Sequence, residues 1–274
     1  MAEYRAPSQL VSWIQGHLDD WRDYRDTNYL ESWKEYERLW RGEWAAQDKL
    51  RESERSRLVS PALQEAIENH ASEIEEGVFG SGDSLFSIDD VESIAIGTVS
   101  KDKFNVILNP ISPQNFLIDP NATSIADAMG VAIEEFVSSH KVAENMESGV
   151  YKKADLGGNA SNDLDLEESW IDEEYDHDKV KVVRYYGLVP EKLIDDPEDG
   201  VVDFIEGGTD LLAEYGDLVE AIVVIGNDNV LLKAERSPYM MKDRPVVAYQ
   251  DDTVPNRFWG RGVAEKGYNM QKAI

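Results

Sequence analysis

Along the first eighty positions apolar residues recur at three- and four-residue steps, a spacing that predicts amphipathic helices. Leu10, Trp13, Ile14, Leu18, Trp21 and Tyr24 make one stripe. Leu30, Trp33, Tyr36, Trp40 and Trp44 make a second, supported by Glu37 four residues ahead of Arg41. Ser60-Pro61 reads as an N-cap followed by proline at the first helical position. The helix it opens carries Leu63, Ala66, Ile67, Ala71, Ile74 and Val78 on one side, with Gly77 and Gly80 as its expected stop.

From about residue 84 the period changes. Phe104–Leu108 reads as a short strand, and Pro110, Pro113 and Pro120 punctuate an extended stretch. Met129–Val137 predicts a strand and Ser139–Ser148 a short helix closed by Gly149. Val180–Tyr186 alternates as a strand does. Leu218–Ile225 and Val230–Ala234 flank Gly226-Asn-Asp-Asn229, a turn rich in residues that tolerate left-handed backbone, and so predict a hairpin. Pro245–Gln250 reads as one more strand. Gly262–Ile274 opens a helix with no stop signal, so the end of the chain reads as a cut.

Charge alters this picture in one part of the chain. The 274 residues hold 55 acids against 27 bases, a net of −28, which excludes a generally basic nucleic-acid binder. Residues 155–178 carry ten carboxylates and no Lys or Arg, and residues 191–220 carry eleven against Lys192 alone. Gly157-Gly158-Asn159 leads into the first of these stretches, which lacks periodicity and is expected to be a loop. No run is long and apolar enough for a transmembrane helix, and the first residues lack a secretory pattern. The absence of cysteine removes disulfides, thiolate metal sites and cysteine nucleophiles.

Few motifs carry chemistry. Asp163-Leu-Asp165-Leu-Glu167 alternates like a calcium loop but lacks the central glycine and the spacing to a terminal glutamate. His17, His70, His140 and His177 show no metal spacing, and there is no G-x-S-x-G elbow. Gly260-Arg-Gly262-Val-Ala-Glu265 has the outline of a dinucleotide loop, but Glu265 would repel a pyrophosphate, so a structural turn is expected. The sequence therefore predicts no enzyme, no cofactor and no metal. Trp13, Trp21, Trp33, Trp40 and Trp44 are candidates for packing between helices or against a neighbouring subunit, with a base-stacking surface as the alternative. Lys49, Arg51, Arg55 and Arg57 form the one notable basic cluster, read either as a solvated helix face or as a phosphate contact.

Taken in order, several segments resemble the portal (head-to-tail connector) proteins of tailed bacteriophages, most closely those of short-tailed phages. They are the aromatic helical start, Arg55-Ser-Arg57-Leu-Val-Ser-Pro61, and Glu76-Gly-Val-Phe79-Gly80. Next come Ile111-Ser-Pro-Gln-Asn115-Phe116-Leu-Ile-Asp119-Pro120, Asp127-Ala128, Val180–Gly187 and the hairpin at 218–234. Last is Pro255-Asn-Arg-Phe258-Trp259-Gly260-Arg-Gly262-Val-Ala-Glu265, running into Gln271–Ile274. The resemblance implies an α+β, ring-forming fold with helical wing and stem and a β-containing clip. By position, 1–138 would be wing and wing–stem link, 139–156 the first stem helix, 157–250 the clip with its acidic loop, and 251–274 the start of the returning stem helix.

It also implies a ring, typically of twelve subunits, at one vertex of a virion capsid, made in the host cytoplasm. Double-stranded DNA would pass through it. The partners implied are the terminase large subunit, head–tail adaptor proteins and the major capsid protein, with no membrane. Family members run to several hundred residues, so the channel helix and crown would follow Ile274, and a wing segment is expected to be missing near 90–97. An acidic DNA-mimicking binding module, occupying a basic partner, is the alternative reading of the same carboxylates. A metal-dependent hydrolase built on them ranks lower, because no converging site is visible.

Overall fold

A computed structural model of the chain describes residues 8–43, 62–79, 109–156, 179–195, 217–239 and 244–273. The chain is α+β, mixed helix and antiparallel sheet. It divides into two compact units, one of Met1–Leu30, Ile111–Tyr249 and Val254–Trp259, the other of Glu31–Pro110, Gln250–Thr253 and Gly260–Ile274. The expected strand at Phe104–Leu108, the Ser60-Pro61 cap, the acidic segment 157–178 and the suspected join near 90–97 all lie outside the described residues.

The first unit is built on a five-stranded sheet in the order β1-β2-β3-β4-β5, antiparallel throughout. Its strands are β1 (Phe116–Ile118), β2 (Gly130–Ser138), β3 (Lys179–Pro190), β4 (Leu218–Gly226) and β5 (Val230–Arg236). Strands from within 1–138 and from within 157–250 thus pair in one sheet. Strand alternation assigns Leu117, Ala132, Val183, Tyr185, Val189, Ala221, Val223 and Ile225 to one face. Helix α1 (Gln9–Arg25) covers that face with Leu10, Val11, Ile14, Leu18 and Trp21. Each fully buried aliphatic side chain in such a layer contributes about 1.5–3 kcal/mol of burial free energy. Ser8 caps α1, its hydroxyl accepting from the Val11 amide.

The opposite face is covered in two patches. Val180, Val182, Val224 and Leu232 lie beneath Val142 of helix α4 (Ser139–Glu147) and beneath Tyr151. Phe116, Ile118, Val131 and Ile133 lie beneath Ala122, Ala128 and Phe258. Helix α4 ends where expected, with Gly149 at φ +80°, so within 139–156 only 139–147 is helical. A bulge on β5 makes Leu232 the extra residue, and its carbonyl accepts a 2.7 Å hydrogen bond from the Lys152 amide. The three-residue β4–β5 connection, Asn227–Asn229, has Asn227 at φ +48° and Asp228 at φ +58°, two successive left-handed positions of the kind Asn and Asp tolerate. Glu191–Asp195 forms the short helix α5 after β3.

One expectation needs correction. Pro245–Gln250 is not a strand. Arg244 anchors its start through side-chain bonds and Val246 packs on the Phe116–Phe258 cluster, while Val247 and Tyr249 are exposed, so this apolar run has no partner ladder among the described residues. A π-helical turn, Asp26–Leu30, separates α1 from α2 (Glu31–Trp40).

The second unit contains α2, α3 (Ala62–Phe79) and α6 (Val263–Ala273), which contact one another. Tyr36 meets Tyr268 edge to face at 5.5 Å, and buried Leu63 lies against Gly267. Asp251 receives Lys266 Nζ at 2.9 Å and His70 Nε2 at 2.8 Å. The expected pair Glu37–Arg41 forms on α2.

Candidate functional site

The segment after Ile111 turns through a 3₁₀ helix, Pro113–Asn115, whose start is capped by the Ser112 hydroxyl. Asn115 donates its amide to the Ser112 carbonyl, and the turn delivers Phe116 to the sheet as a buried residue. Beyond β1, Asp119 and Pro120 open a loop held by carboxylates. Asp119 Oδ1 accepts from the Asn121 amide at 2.9 Å and Oδ2 from the Met129 amide at 3.4 Å. Asp127 accepts from the amides and hydroxyls of Thr123 and Ser124. Hydrogen bonds from Ser124 and then Thr123 hold the Asp127 carboxyl well below the usual range.

Phe258 and Trp259, from a segment far along the chain, meet this loop at Phe116. Phe116 and Phe258 lie 5.8 Å apart between ring centroids, Phe116 and Trp259 6.1 Å, and Phe258 and Trp259 5.2 Å, the last two edge to face. Tyr29 of the π turn extends the cluster, 6.0 Å from Trp259 and 5.8 Å from Tyr24. The Arg257 guanidinium sits 5.9 Å from the Tyr29 ring centre. Burial pushes the Tyr29 phenol up to about 12, helped by its hydrogen bond with Tyr24. Asn256 adopts φ +62°, which turns the chain into this cluster. Of the sequence-predicted residues, Phe116, Phe258 and Trp259 therefore meet in an aromatic junction at the β1 edge of the sheet, while Asn115, Asp119 and Pro120 flank β1 along the chain.

Gly260, Gly262 and Glu265 belong to the second unit. A Cβ on Gly260 would lie 2.5 Å from the Asp252 carbonyl oxygen, so only glycine fits beside the Asp252–Arg261 bridge. Gly262 has open space around it. Glu265 pairs with Arg261 at 3.2 Å, one helical turn back.

The tryptophans separate into two groups. Trp21 is only 4% exposed and stacks on Tyr185 at 6.1 Å, so it is committed to the core of its own chain and is not offered to a neighbour. Trp13 is half-buried and meets His17 edge to face at 4.4 Å. On α2, Trp33 is half-buried and Trp40 is 41% exposed, leaving aromatic surface at a helix that buries none of its residues. Trp44 and the basic cluster Lys49, Arg51, Arg55 and Arg57 lie outside the described residues.

Two buried charge clusters carry no motif. Glu134 of β2 lies under α1 and is approached by Arg22 at 2.8 Å, Lys181 at 3.4 Å and Arg25 at 3.6 Å. Asp228 at the hairpin tip shares Lys181 at 2.8 Å and Arg22 at 3.3 Å, and Arg25 also donates to the Gln114 carbonyl. The second is Arg244, whose Nε donates to Glu220 at 2.8 Å while Nη1 reaches the Ile125 carbonyl at 2.7 Å. It fastens the Asp119–Met129 loop to β4. A signal for the first existed. Arg25 continues the buried stripe Ile14, Leu18, Trp21, and Glu134 interrupts the apolar run of a strand. Arg244 had none, because it lies in no helix or strand whose apolar pattern a charge would interrupt.

Among the described residues no group of three or more His, Asp or Glu side chains is arranged to hold a metal, and no helix is long and apolar enough to cross a membrane. The carboxylates gathered at Glu134 and Glu220 are held by cations, so these clusters fasten elements together. Neither a scan against protein-family models nor a search of curated proteins returned a match for this chain.

Proposed function

We propose that this chain is a subunit of a portal ring, the conduit for DNA entering and leaving a tailed-phage capsid. The observation that carries the proposal is the aromatic junction. Two of the segments that resemble portal proteins, one at Ile111–Pro120 and one beginning at Pro255, are separated by more than a hundred residues yet meet through Phe116, Phe258 and Trp259. That these segments pack together supports reading the resemblance as one fold. In this reading the α2 face with Trp33 and Trp40 contacts the next subunit. The ring sits at a capsid vertex against the major capsid protein, and the terminase large subunit and head–tail adaptors dock in turn.

The role is mechanical, with no chemical step and no cofactor. DNA must slide, so phosphate contacts along its path act as brakes, and a strongly acidic subunit keeps them few. Screening at physiological salt confines that repulsion to about 8 Å, so it acts at the wall of the passage. Native mass spectrometry of the full-length protein, with negative-stain images of the same sample, tests the proposal. A closed ring near twelve subunits with a central hole is expected. A monomer or dimer at high concentration overturns it in favour of an acidic module that occupies a basic partner.

A further inference from the structure

We draw no further inference here: the strongest candidate, the exposed apolar stretch Val247–Tyr249 between the Arg244 anchor and the aromatic junction, carries nothing because no feature of the structure shows what covers it.

Discussion

Gly130 and Gly187 face each other across β2 and β3, and the Tyr185 ring lies over them with its hydroxyl donating to the Leu188 carbonyl at 2.9 Å. A Cβ on Gly187 would stand 2.5 Å from the Gly130 Cα and 2.6 Å from the Met129 carbonyl oxygen, both backbone atoms that cannot swing aside. Gly187→Ala should therefore cost about 1–3 kcal/mol, the usual range for overpacking, read as a lower midpoint in urea unfolding with unchanged slope. Glu134→Ala should cost more, about 3–5 kcal/mol, because it strands Arg25 and its companions without their shared carboxylate under α1. His17 supplies a pH dependence. Burial lowers its pKa, against the opposing pull of Asp20 and Asp119, so the folded chain binds its proton less readily than the unfolded chain does. That contribution to stability is complete above the ordinary histidine value of about 6.5 and is lost as pH falls from there through the depressed folded value. Thermal melts between pH 7.5 and 5 should show a decline that His17→Asn flattens; an unchanged slope in the variant would count against the effect.

At the scale of elements, the hairpin joining β4 and β5 was the most legible part of the chain. Its turn needs two successive left-handed residues, and Asn227-Asp228 announce them. What the sequence could not display is that Asn227 also accepts from the Lys181 amide and donates to the Leu156 carbonyl, tying the tip to two other segments. Asn227→Ala should accordingly destabilise by more than turn strain alone, and hydrogen exchange at Lys181 should report the loss. Helix α1, β2, β3 and α4 were legible for a similar reason, since each declares itself through its own period or stop signal. Pro245–Gln250 was misread because a short apolar run says nothing of whether a neighbouring strand exists, and Val247 and Tyr249 are in fact exposed. The aromatic junction was legible only as two motif segments, and their meeting is a tertiary fact. Phe258→Ala should remove about 3–5 kcal/mol by opening a cavity beside Phe116, a loss visible as a reduced melting temperature.

At the scale of the whole molecule, the portal reading stands or falls on assembly. Subunits of net charge −28 repel one another, so apolar contact must outweigh that repulsion, and raising ionic strength should increase the ring fraction in native mass spectra. Trp33→Ala with Trp40→Ala should yield monomers whose unfolding remains cooperative; rings persisting in the double variant would remove α2 from the interface. The tryptophan count alone could not separate Trp21, which fills the core, from Trp40, which does not, because both sit on equally regular stripes. The sheet carries a last consequence. Among the described residues every strand pairs with its neighbour in sequence, so the two acidic stretches fall largely between strands already adjacent in the sheet, β2 to β3 and β3 to β4. For a flexible connection between neighbouring strands, length enters stability only logarithmically, about 0.6 kcal/mol for each doubling. On that footing the sheet's register and the charge of its connections can be altered separately by design. Replacing residues 160–176 by a short Gly/Ser link should discard eight carboxylates and leave the melting temperature within a few degrees of the parent.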